Sequence, residues 1–282
     1  MTGSSTVSTR TLVSGGKHVE MPRLGYGVYQ IEPEDAARCA TEALRMGYRS
    51  VDTAAFYGNE EGVGRAVVES GLPREEIFVT TKVWNDAHGF DETLRAFEES
   101  LARLGLEQVD LYLIHWPCPA REKYVDSWRA LLRLQEEGRI RAAGVSNFEP
   151  EHLRRLAEET GQMPAVNQIE LHPYLQQREL KTFHGEQGIA TEAWSPLARA
   201  GDLFAEPTVT RIAEEAGVTP AQVVLAWHLA QGNVVIPKSV TPERMAENLA
   251  AVDVTLTPAQ IDSLDALDRG GRMGPDPREF NG

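Results

Sequence analysis

Four side chains, widely separated in the sequence, could together deliver a proton to a carbonyl oxygen: Asp52, Tyr57, Lys82 and His115. Reduction of a carbonyl group by hydride needs a proton for the developing alkoxide, and free tyrosine, with a pKa of about 10, is a reluctant donor at neutral pH. A neighbouring ammonium group lowers the pKa of a phenol. We therefore expect Lys82 to lower the pKa of Tyr57, and Asp52 to keep Lys82 charged. His115 would donate a hydrogen bond to the carbonyl oxygen.

Each of these residues also has a simpler structural explanation when it is considered alone. An aspartate at a strand end commonly caps a turn, a lysine there reaches water, and a loop tyrosine or a histidine beside a tryptophan packs against its neighbours. The chemical hypothesis therefore depends on a fold that brings the four together.

Short apolar or β-branched runs alternate with longer amphipathic segments from Leu24 onward, which is typical of a parallel α/β sheet. The predicted strands are Leu24–Val28, Ser50–Thr53, Ile77–Lys82, Val109–Ile114, Ala142–Val145, Ala165–Gln168, Ala190–Ala193 and Val234–Ile236. The clearest predicted helices are Pro33–Gly47, Asp91–Leu104 and Pro220–Gln231. Eight strands alternating with helices predict the (β/α)8 TIM barrel.

In such a barrel, the loops at the carboxyl ends of the strands hold the chemistry. Residues at or just beyond predicted strand ends are Asp52, Lys82, His115, Asn147, Gln168, Trp194 and Lys238. We further predict a β-hairpin over Thr11–Met21, turning at Gly15-Gly16, and extra helices near the C-terminus. One domain is expected over residues 1–282, with residues 1–10 as a disordered tail.

The composition limits the classes of partner. The chain has 282 residues, with 28 basic and 42 acidic side chains and a formal net charge of −14. Because such a surface repels phosphate backbones and anionic lipids, we expect neither nucleic-acid nor membrane partners. No apolar run approaches the ~20 residues of a membrane span, and the first ten residues do not resemble a secretory signal. Cys39 and Cys118 are expected to be free thiols in a cytoplasmic protein.

A phosphate-binding site is indicated where a predicted helix begins at Thr241-Pro242. Lys238 and Arg244 flank this helix start, and cations beside free helix amides suit a phosphate dianion. Nothing resembles the dinucleotide fingerprint of a Rossmann fold, since Gly25-Tyr26-Gly27 lacks the third glycine. Solvated surface charges are the alternative interpretation of Lys238 and Arg244.

The sequence from Leu24 to Asp268 resembles the aldo-keto reductase family. Gly47–Gly64 fits the family's first signature, Gly144–Phe148 the middle one, and Ile236–Asn248 the third. By resemblance, Asp52, Tyr57, Lys82 and His115 match the catalytic tetrad, and the cofactor is NADPH/NADP+. The short loops resemble those of the prokaryotic 2,5-diketo-D-gluconic acid reductase subgroup.

The resemblance also implies a set of cofactor-binding residues. Those implied for the nicotinamide end and the pyrophosphate are Ser146, Asn147, Gln168, Trp194, Ser195 and Leu197. Those implied for the adenosine 2′-phosphate and the adenine are Lys238, Ser239, Val240, Arg244, Glu247 and Asn248. Trp194 stands where many family members have tyrosine, and keeps a flat surface for stacking.

By resemblance, Tyr29, Trp84 and Trp116 form aromatic walls around a small-molecule carbonyl substrate, such as a keto-sugar or a 2-oxoaldehyde. The loop Ala198–Leu203 is short, so we expect it to form only a loose clasp, that is, to cover the bound cofactor incompletely. A monomer is the form that the resemblance implies.

Two other functions stay open at this point. A regulatory protein could bind the cofactor with little turnover, although all four tetrad positions match. A metal-dependent barrel hydrolase could use His115, His172, Asp110 and Asp52 as ligands. No HxH or HExxH spacing occurs, and Asp110 begins its strand, which places it at the opposite end from His115. We therefore expect no metal site, and a structural role for His172.

Overall fold

The computed structural model describes residues 7–282, in which eight parallel strands follow an antiparallel hairpin. The hairpin strands are β1 (Thr9–Ser14) and β2 (Lys17–Pro22). The parallel strands are β3 (Tyr26–Gly27), β4 (Ser50–Asp52), β5 (Phe78–Val83), β6 (Val109–Ile114), β7 (Ile140–Ser146), β8 (Val166–Glu170), β9 (Ala190–Trp194) and β10 (Val234–Val235). They pair in chain order from β3 to β10.

The two edges of this sheet meet. Leu24, just before β3, forms a parallel bridge with Val235 of β10, and the amide of Gly25 donates to the Val235 carbonyl at 2.8 Å. Closure removes both free edges of the sheet. The predicted (β/α)8 TIM barrel is confirmed, and the predicted strands all occur.

Helices surround the barrel. They are α1 (Pro33–Met46), α2 (Glu60–Val68), α3 (Phe90–Leu104), α4 (Tyr124–Glu136), α5 (Pro150–Thr160), α6 (Arg178–Gln187), α7 (Pro207–Ala216), α8 (Pro220–Ala230), α9 (Pro242–Leu249) and α10 (Pro258–Asp265). Two helices follow each of β9 and β10, so the extra helices near the C-terminus are confirmed.

The helix ends follow from local sequence. Pro33 occupies the first turn of α1, where its missing N–H costs nothing, and Gly47 ends the helix with a φ of 114°, which disfavours any side chain. At α8, the Thr219 hydroxyl accepts from the Gln222 amide, and the Gln222 side chain accepts from Thr219, forming a capping box.

The hairpin closes the amino-terminal end of the barrel, which we call the floor. Leu12, Val19 and Met21 are buried against residues of the barrel strands, and each such side chain contributes about 1.5–3 kcal/mol. The predicted hairpin is confirmed, but Thr9 and Arg10 belong to β1, so the expected tail over 1–10 was too long. Their backbone groups pair with β2, which explains the order. Residues 1–6 of that tail lie outside the described residues.

Asp110 also lies at the floor. Its carboxylate accepts from Arg74 and Arg141, both at 2.7 Å, and from the Val79 amide at 2.9 Å. His115 ends the same strand at the other side of the barrel, as predicted. In residues 7–282, no helix combines the length and the apolar character needed to cross a bilayer.

Candidate active site

The carboxyl ends of the strands, which we call the mouth, hold a buried ion pair. Lys82 Nζ of β5 donates to Asp52 Oδ1 of β4 at 2.6 Å and to the Thr53 carbonyl at 2.8 Å. The side chain of Lys82 is fully buried and that of Asp52 is 2% exposed. A buried ammonium needs a partner of opposite charge, and the Asp52 carboxylate lies in the position that the sequence predicted for that partner.

Tyr57 lies above this pair in a short 3-10 helix, Ala55–Tyr57, that ends at Gly58 with a φ of 68°. Lys82 Nζ is 5.1 Å from the centroid of the Tyr57 ring, and the His115 ring is 5.6 Å away on another side. The four residues of the predicted tetrad are therefore neighbours in the fold.

The pKa of Tyr57 departs from the expectation. Burial raises it well above the ordinary value, and the negative charge of Asp52 raises it further. The expectation of a lowered pKa was wrong in its net direction, because burial and the Asp52 carboxylate, which pairs with Lys82 at 2.6 Å, outweigh the ammonium. Tyr57 is thus fully protonated at neutral pH.

His115 is held neutral. Burial, and the charge of Lys82, lower its pKa well below the usual value. Its Nδ1 has no hydrogen-bond partner among residues 7–282. A neutral imidazole carries one N–H, so His115 can donate one hydrogen bond to a ligand without carrying a charge.

A polar surface lies beside the pair, at β7, β8 and β9. We call it the ledge, and it consists of Ser146, Asn147, Gln168 and Trp194. Asn147 Nδ2 donates to the His115 carbonyl at 3.0 Å, and Trp194 Nε1 donates to Asn147 Oδ1 at 2.8 Å. Ser146 Oγ donates to the Gln168 carbonyl at 2.8 Å. Asn147 has a φ of 64°, which turns the chain sharply after β7. The residues predicted for the nicotinamide end thus lie together.

Gln168 connects this ledge both to the ion pair and to Glu192, a residue that sequence reasoning missed. Gln168 Nε2 donates to Asp52 Oδ2 and to Glu192 Oε2, each at 2.8 Å. Glu192 is fully buried, and burial together with the Asp52 charge raises its pKa to about 8. A charged residue among the short-strand residues Ala190–Trp194, where the strands of a barrel are buried on both faces, was the signal that could have found it.

The predicted phosphate site lies at the start of α9. Lys238 and Arg244 are exposed, whereas Ser239 is buried and its Oγ accepts from the Thr241 amide at 3.1 Å. No side chain caps the first turn of α9, although Thr241 is in the capping position. The first turn of α9 therefore lacks a side-chain acceptor for its amides, and the two cations near this helix start are both exposed.

The remaining predicted cofactor residues lie around the same edge. Val240 is 41% exposed, and Asn248 is buried. The Glu247 carboxylate accepts from the Thr219 hydroxyl at 2.6 Å, so that side chain is engaged with α8. Ser195 and Leu197 are half-buried in the loop after β9, where φ is positive at Ser195 and at three consecutive residues, Ala198, Arg199 and Ala200.

Aromatic side chains form the rim of the mouth. Tyr29 is 44% exposed and its ring lies 5.1 Å from that of Tyr57. Phe56, which the sequence did not single out, is 52% exposed and stacks on Trp84 at 3.8 Å. Its position beside Tyr57 in the same loop was the signal that could have identified it.

The C-terminal segment covers part of this rim. The ring of Phe280 lies 4.6 Å from that of Trp116, which is only 8% exposed. The buried Glu170 carboxylate accepts from the amides of Met273 and Gly274, at 2.7 and 2.8 Å, and from His172 at 3.1 Å. His172 therefore has the structural role that the sequence predicted. Sequence reasoning missed the anchoring of the segment because no local pattern links residues about 100 positions apart.

The chain is similar to known proteins along most of its length. The model of the Aldo/keto reductase family matches residues 14–269. An aldo-keto reductase of Mycolicibacterium smegmatis is 54% identical over 275 residues, 98% of this chain and 99% of that protein. Methylglyoxal reductase DkgA of Escherichia coli is 49% identical over 263 residues, 93% of this chain and 95% of that protein.

Two crystal structures are also similar. An aldo/keto reductase from Brucella melitensis is 50% identical with a TM-score of 0.89, over 93% of this chain and 98% of that one. A mutant of Gox0644 in complex with NADPH is 47% identical with a TM-score of 0.91, over 97% of this chain and 99% of that one.

Proposed function

The chain belongs to the aldo/keto reductase family, and from that premise we propose that it reduces an aldehyde or ketone to an alcohol with Tyr57 as the general acid. The predicted family is confirmed, and with it the reaction class: the protein is an oxidoreductase that acts on carbonyl groups and uses NADP(H). The observation that carries the proposal is the ion pair of Lys82 and Asp52, whose ammonium lies 5.1 Å from the centroid of the Tyr57 ring, with the His115 ring 5.6 Å from the same ring.

The residues of the mouth fit NADPH. The uncapped first turn of α9, with the exposed Lys238 and Arg244 and with Ser239, would hold the 2′-phosphate. Ser146, Asn147 and Gln168 would hold the carboxamide. The remaining proposed contacts are made by Trp194, Ser195, Leu197, Val240, Glu247 and Asn248. When bound, NADPH supplies a hydride to the carbonyl carbon.

The proton comes from the chain itself. Tyr57 stays protonated in its partly buried position and is therefore available as a donor when an alkoxide, a much stronger base than phenolate, develops beside it. The phenolate that remains is stabilised by the ammonium of Lys82. Neutral His115 donates a hydrogen bond that holds the carbonyl oxygen near the Tyr57 hydroxyl.

We propose a small 2-oxoaldehyde or keto-sugar as the substrate. Tyr29, Trp84 and Trp116, with Phe56 and Phe280, leave apolar walls around the donor groups. The methylglyoxal reductase named above has nearly the length of this chain, which supports the same substrate class here.

The other properties are proposals of the same kind. We propose one barrel domain over residues 1–282, acting as a cytoplasmic monomer without nucleic-acid or membrane partners. The loose clasp formed by Ala198–Leu203 stays a prediction, and stopped-flow measurement of NADPH release tests it: slow release that is independent of chemistry would contradict it.

The Tyr57→Phe variant tests the role of the acid. It removes the hydroxyl and keeps the ring, so turnover should fall by roughly 10²–10⁴-fold while NADPH still binds. Tyr112→Phe is the matched control, since the Tyr112 hydroxyl is buried without a partner among residues 7–282 and packs against Phe97 outside the barrel. Near-normal turnover of Tyr57→Phe would exclude Tyr57 as the acid.

A regulatory protein with little turnover is the second candidate, because cofactor binding alone needs only the ledge and the α9 site. NADPH oxidation by the purified protein with sugars, 2-oxoaldehydes, steroids and aromatic aldehydes separates the two. Oxidation that depends on the carbonyl compound and resists a chelator supports the reductase. NADPH binding without oxidation across the panel supports the regulatory protein.

A further inference from the structure

The amide group of Gln168 lies between two buried carboxyl groups. Its Nε2 is 2.8 Å from Asp52 Oδ2 and 2.8 Å from Glu192 Oε2, so the two carboxyl oxygens are no more than twice that distance apart. An amide nitrogen has two hydrogens, and both are used here. The amide oxygen is left as the atom that a ligand in the mouth can reach.

The charges at this position do not balance if both carboxyl groups are ionised. Lys82 is the cation in contact, and it bonds to Asp52 Oδ1 at 2.6 Å. Glu192 contacts the uncharged Gln168 instead, and its Oε1 has no hydrogen-bond partner among residues 7–282. A buried carboxylate without a cation is costly, and two carboxyl groups that share a site resist double ionisation. Asp52 is therefore the charged member, and Glu192 carries a proton.

We propose that Glu192, in its neutral form, is a positioning residue of the reductase: it fixes the Gln168 amide with its oxygen toward the cofactor site and keeps a second negative charge away from Tyr57. The inference rests on the proposed function. Glu192 touches neither cofactor nor substrate and acts through its neighbours.

The charged and titratable groups that face Glu192 are few. Asp52 on β4 opposes its ionisation and Lys82 on β5 favours it, and Gln168 on β8 donates the hydrogen bond. On the other side, Glu192 is paired in register with the apolar Val234 of β10. The balance raises the pKa of Glu192 to about 8, and an ionised Glu192 in turn raises the pKa of Tyr57.

The consequence is that turnover should depend on pH above neutrality. Once Glu192 ionises, the phenolate left by proton transfer lies near an additional negative charge. A shift of one unit in the pKa of Tyr57 changes the stability of that phenolate by a factor of about ten. We expect the turnover of the wild-type protein to fall by about tenfold as the pH rises from 7 to 9.

The first test compares the pH profiles of kcat for the wild type, Glu192→Gln and Glu192→Leu. Glutamine keeps an acceptor for Gln168 and cannot ionise, so kcat of Glu192→Gln should stay level where the wild type falls. Leucine removes the acceptor, and the loosened Gln168 should raise the Kd for NADPH by about tenfold. Glu60→Gln is the control, since Glu60 is equally buried but bonds to Thr81 and Arg103 outside the mouth.

The second test needs no turnover. In the ligand-free protein, infrared difference spectra between pH 6.5 and 9 should show loss of the C=O stretch of a buried protonated carboxyl. The signal should be absent in Glu192→Gln and present in Glu60→Gln. An unaltered signal in Glu192→Gln would overturn the protonation, and a kcat profile that falls as in the wild type would overturn the role. A wild-type protein without any carbonyl-dependent NADPH oxidation would instead reject the proposed function, whatever the infrared result.

Discussion

The two ends of the barrel each bury an aspartate, but they satisfy it in different ways. At the floor, Asp110 accepts from Arg74 and Arg141, whose side chains are 34% and 36% exposed. At the mouth, Asp52 is bonded to Lys82, which is fully buried. The floor therefore leaves its cations partly in water, whereas the mouth removes its cation from water altogether.

The difference distinguishes charges that stabilise the fold from charges that take part in the proposed reaction. At the floor, two cations and a backbone amide surround one carboxylate, and the hairpin covers the apolar side. At the mouth, the one ammonium bonds to Asp52, Glu192 is bonded only to the uncharged Gln168, and Glu192 Oε1 and His115 Nδ1 have no partner in residues 7–282. Unsatisfied groups of this kind cost stability and persist where function requires them.

The largest effect is expected when the mouth loses its ion pair. Lys82→Met combined with Asp52→Asn should lower kcat by about 10³-fold, because the Tyr57 phenolate loses its ammonium. The free energy of unfolding should change little, since replacing both members of a buried pair is often neutral. Steady-state kinetics and urea unfolding measure the two quantities. A kcat above one tenth of the wild-type value would show that the pair is structural.

Asp110→Ala, at the floor, should lower the stability of the fold and have little effect on turnover. Its loss leaves the Val79 amide without its acceptor and the two arginines without their partner, so the free energy of unfolding should fall by about 2–4 kcal/mol. The kcat of the folded protein should stay within about twofold. Asp126→Ala is the control, because the exposed pair of Asp126 and Arg129 contributes less than about 1 kcal/mol. A large loss of kcat in Asp110→Ala would show that the floor also contributes to turnover and would contradict the distinction between the two ends.

The pH dependence of stability sharpens the comparison further. The pKa of Glu192 is about 8 in the fold and 4.5 in the unfolded chain, so its contribution to stability is fully present below 4.5 and is lost as the pH rises to about 8. Glu192→Gln should remove this loss, so its free energy of unfolding relative to that of the wild type should rise by about 3–4 kcal/mol from pH 5 to pH 8. Urea unfolding at the two pH values measures it, and equal slopes for the two proteins would contradict it.

Sequence reasoning predicted the parts of the molecule that depend on local patterns. Proline at the start of α1 and glycine at its end, Gly15-Gly16 in the hairpin, and the eight short strands are signals that lie within a few residues. The tetrad was accessible because each member ends or follows a strand, and barrel closure brings strand ends together.

The missed features depend on contacts between distant segments. Glu192 was unremarked because its role arises from Gln168 and Asp52, which reach it across the barrel. The pKa of Tyr57 was assigned the wrong net direction for a related reason: burial, which raises it, is a property of the whole mouth, while the neighbouring lysine, which was expected to lower it, is visible in the sequence.

The smallest effect is expected at the edge of the mouth, where charges meet solvent. Lys238→Ala combined with Arg244→Ala should raise the dissociation constant of NADPH by about tenfold and leave that of NADH unchanged, because only NADPH carries the 2′-phosphate. The effect is modest because both cations are exposed and screened. Fluorescence titration gives both dissociation constants. Arg211→Ala, which removes a cation paired with Glu215 on the outer surface, controls for net charge. If the ratio of the two constants does not change, the phosphate is held by the α9 amides or elsewhere, and the exposed cations belong with the solvated charges of the rest of the surface.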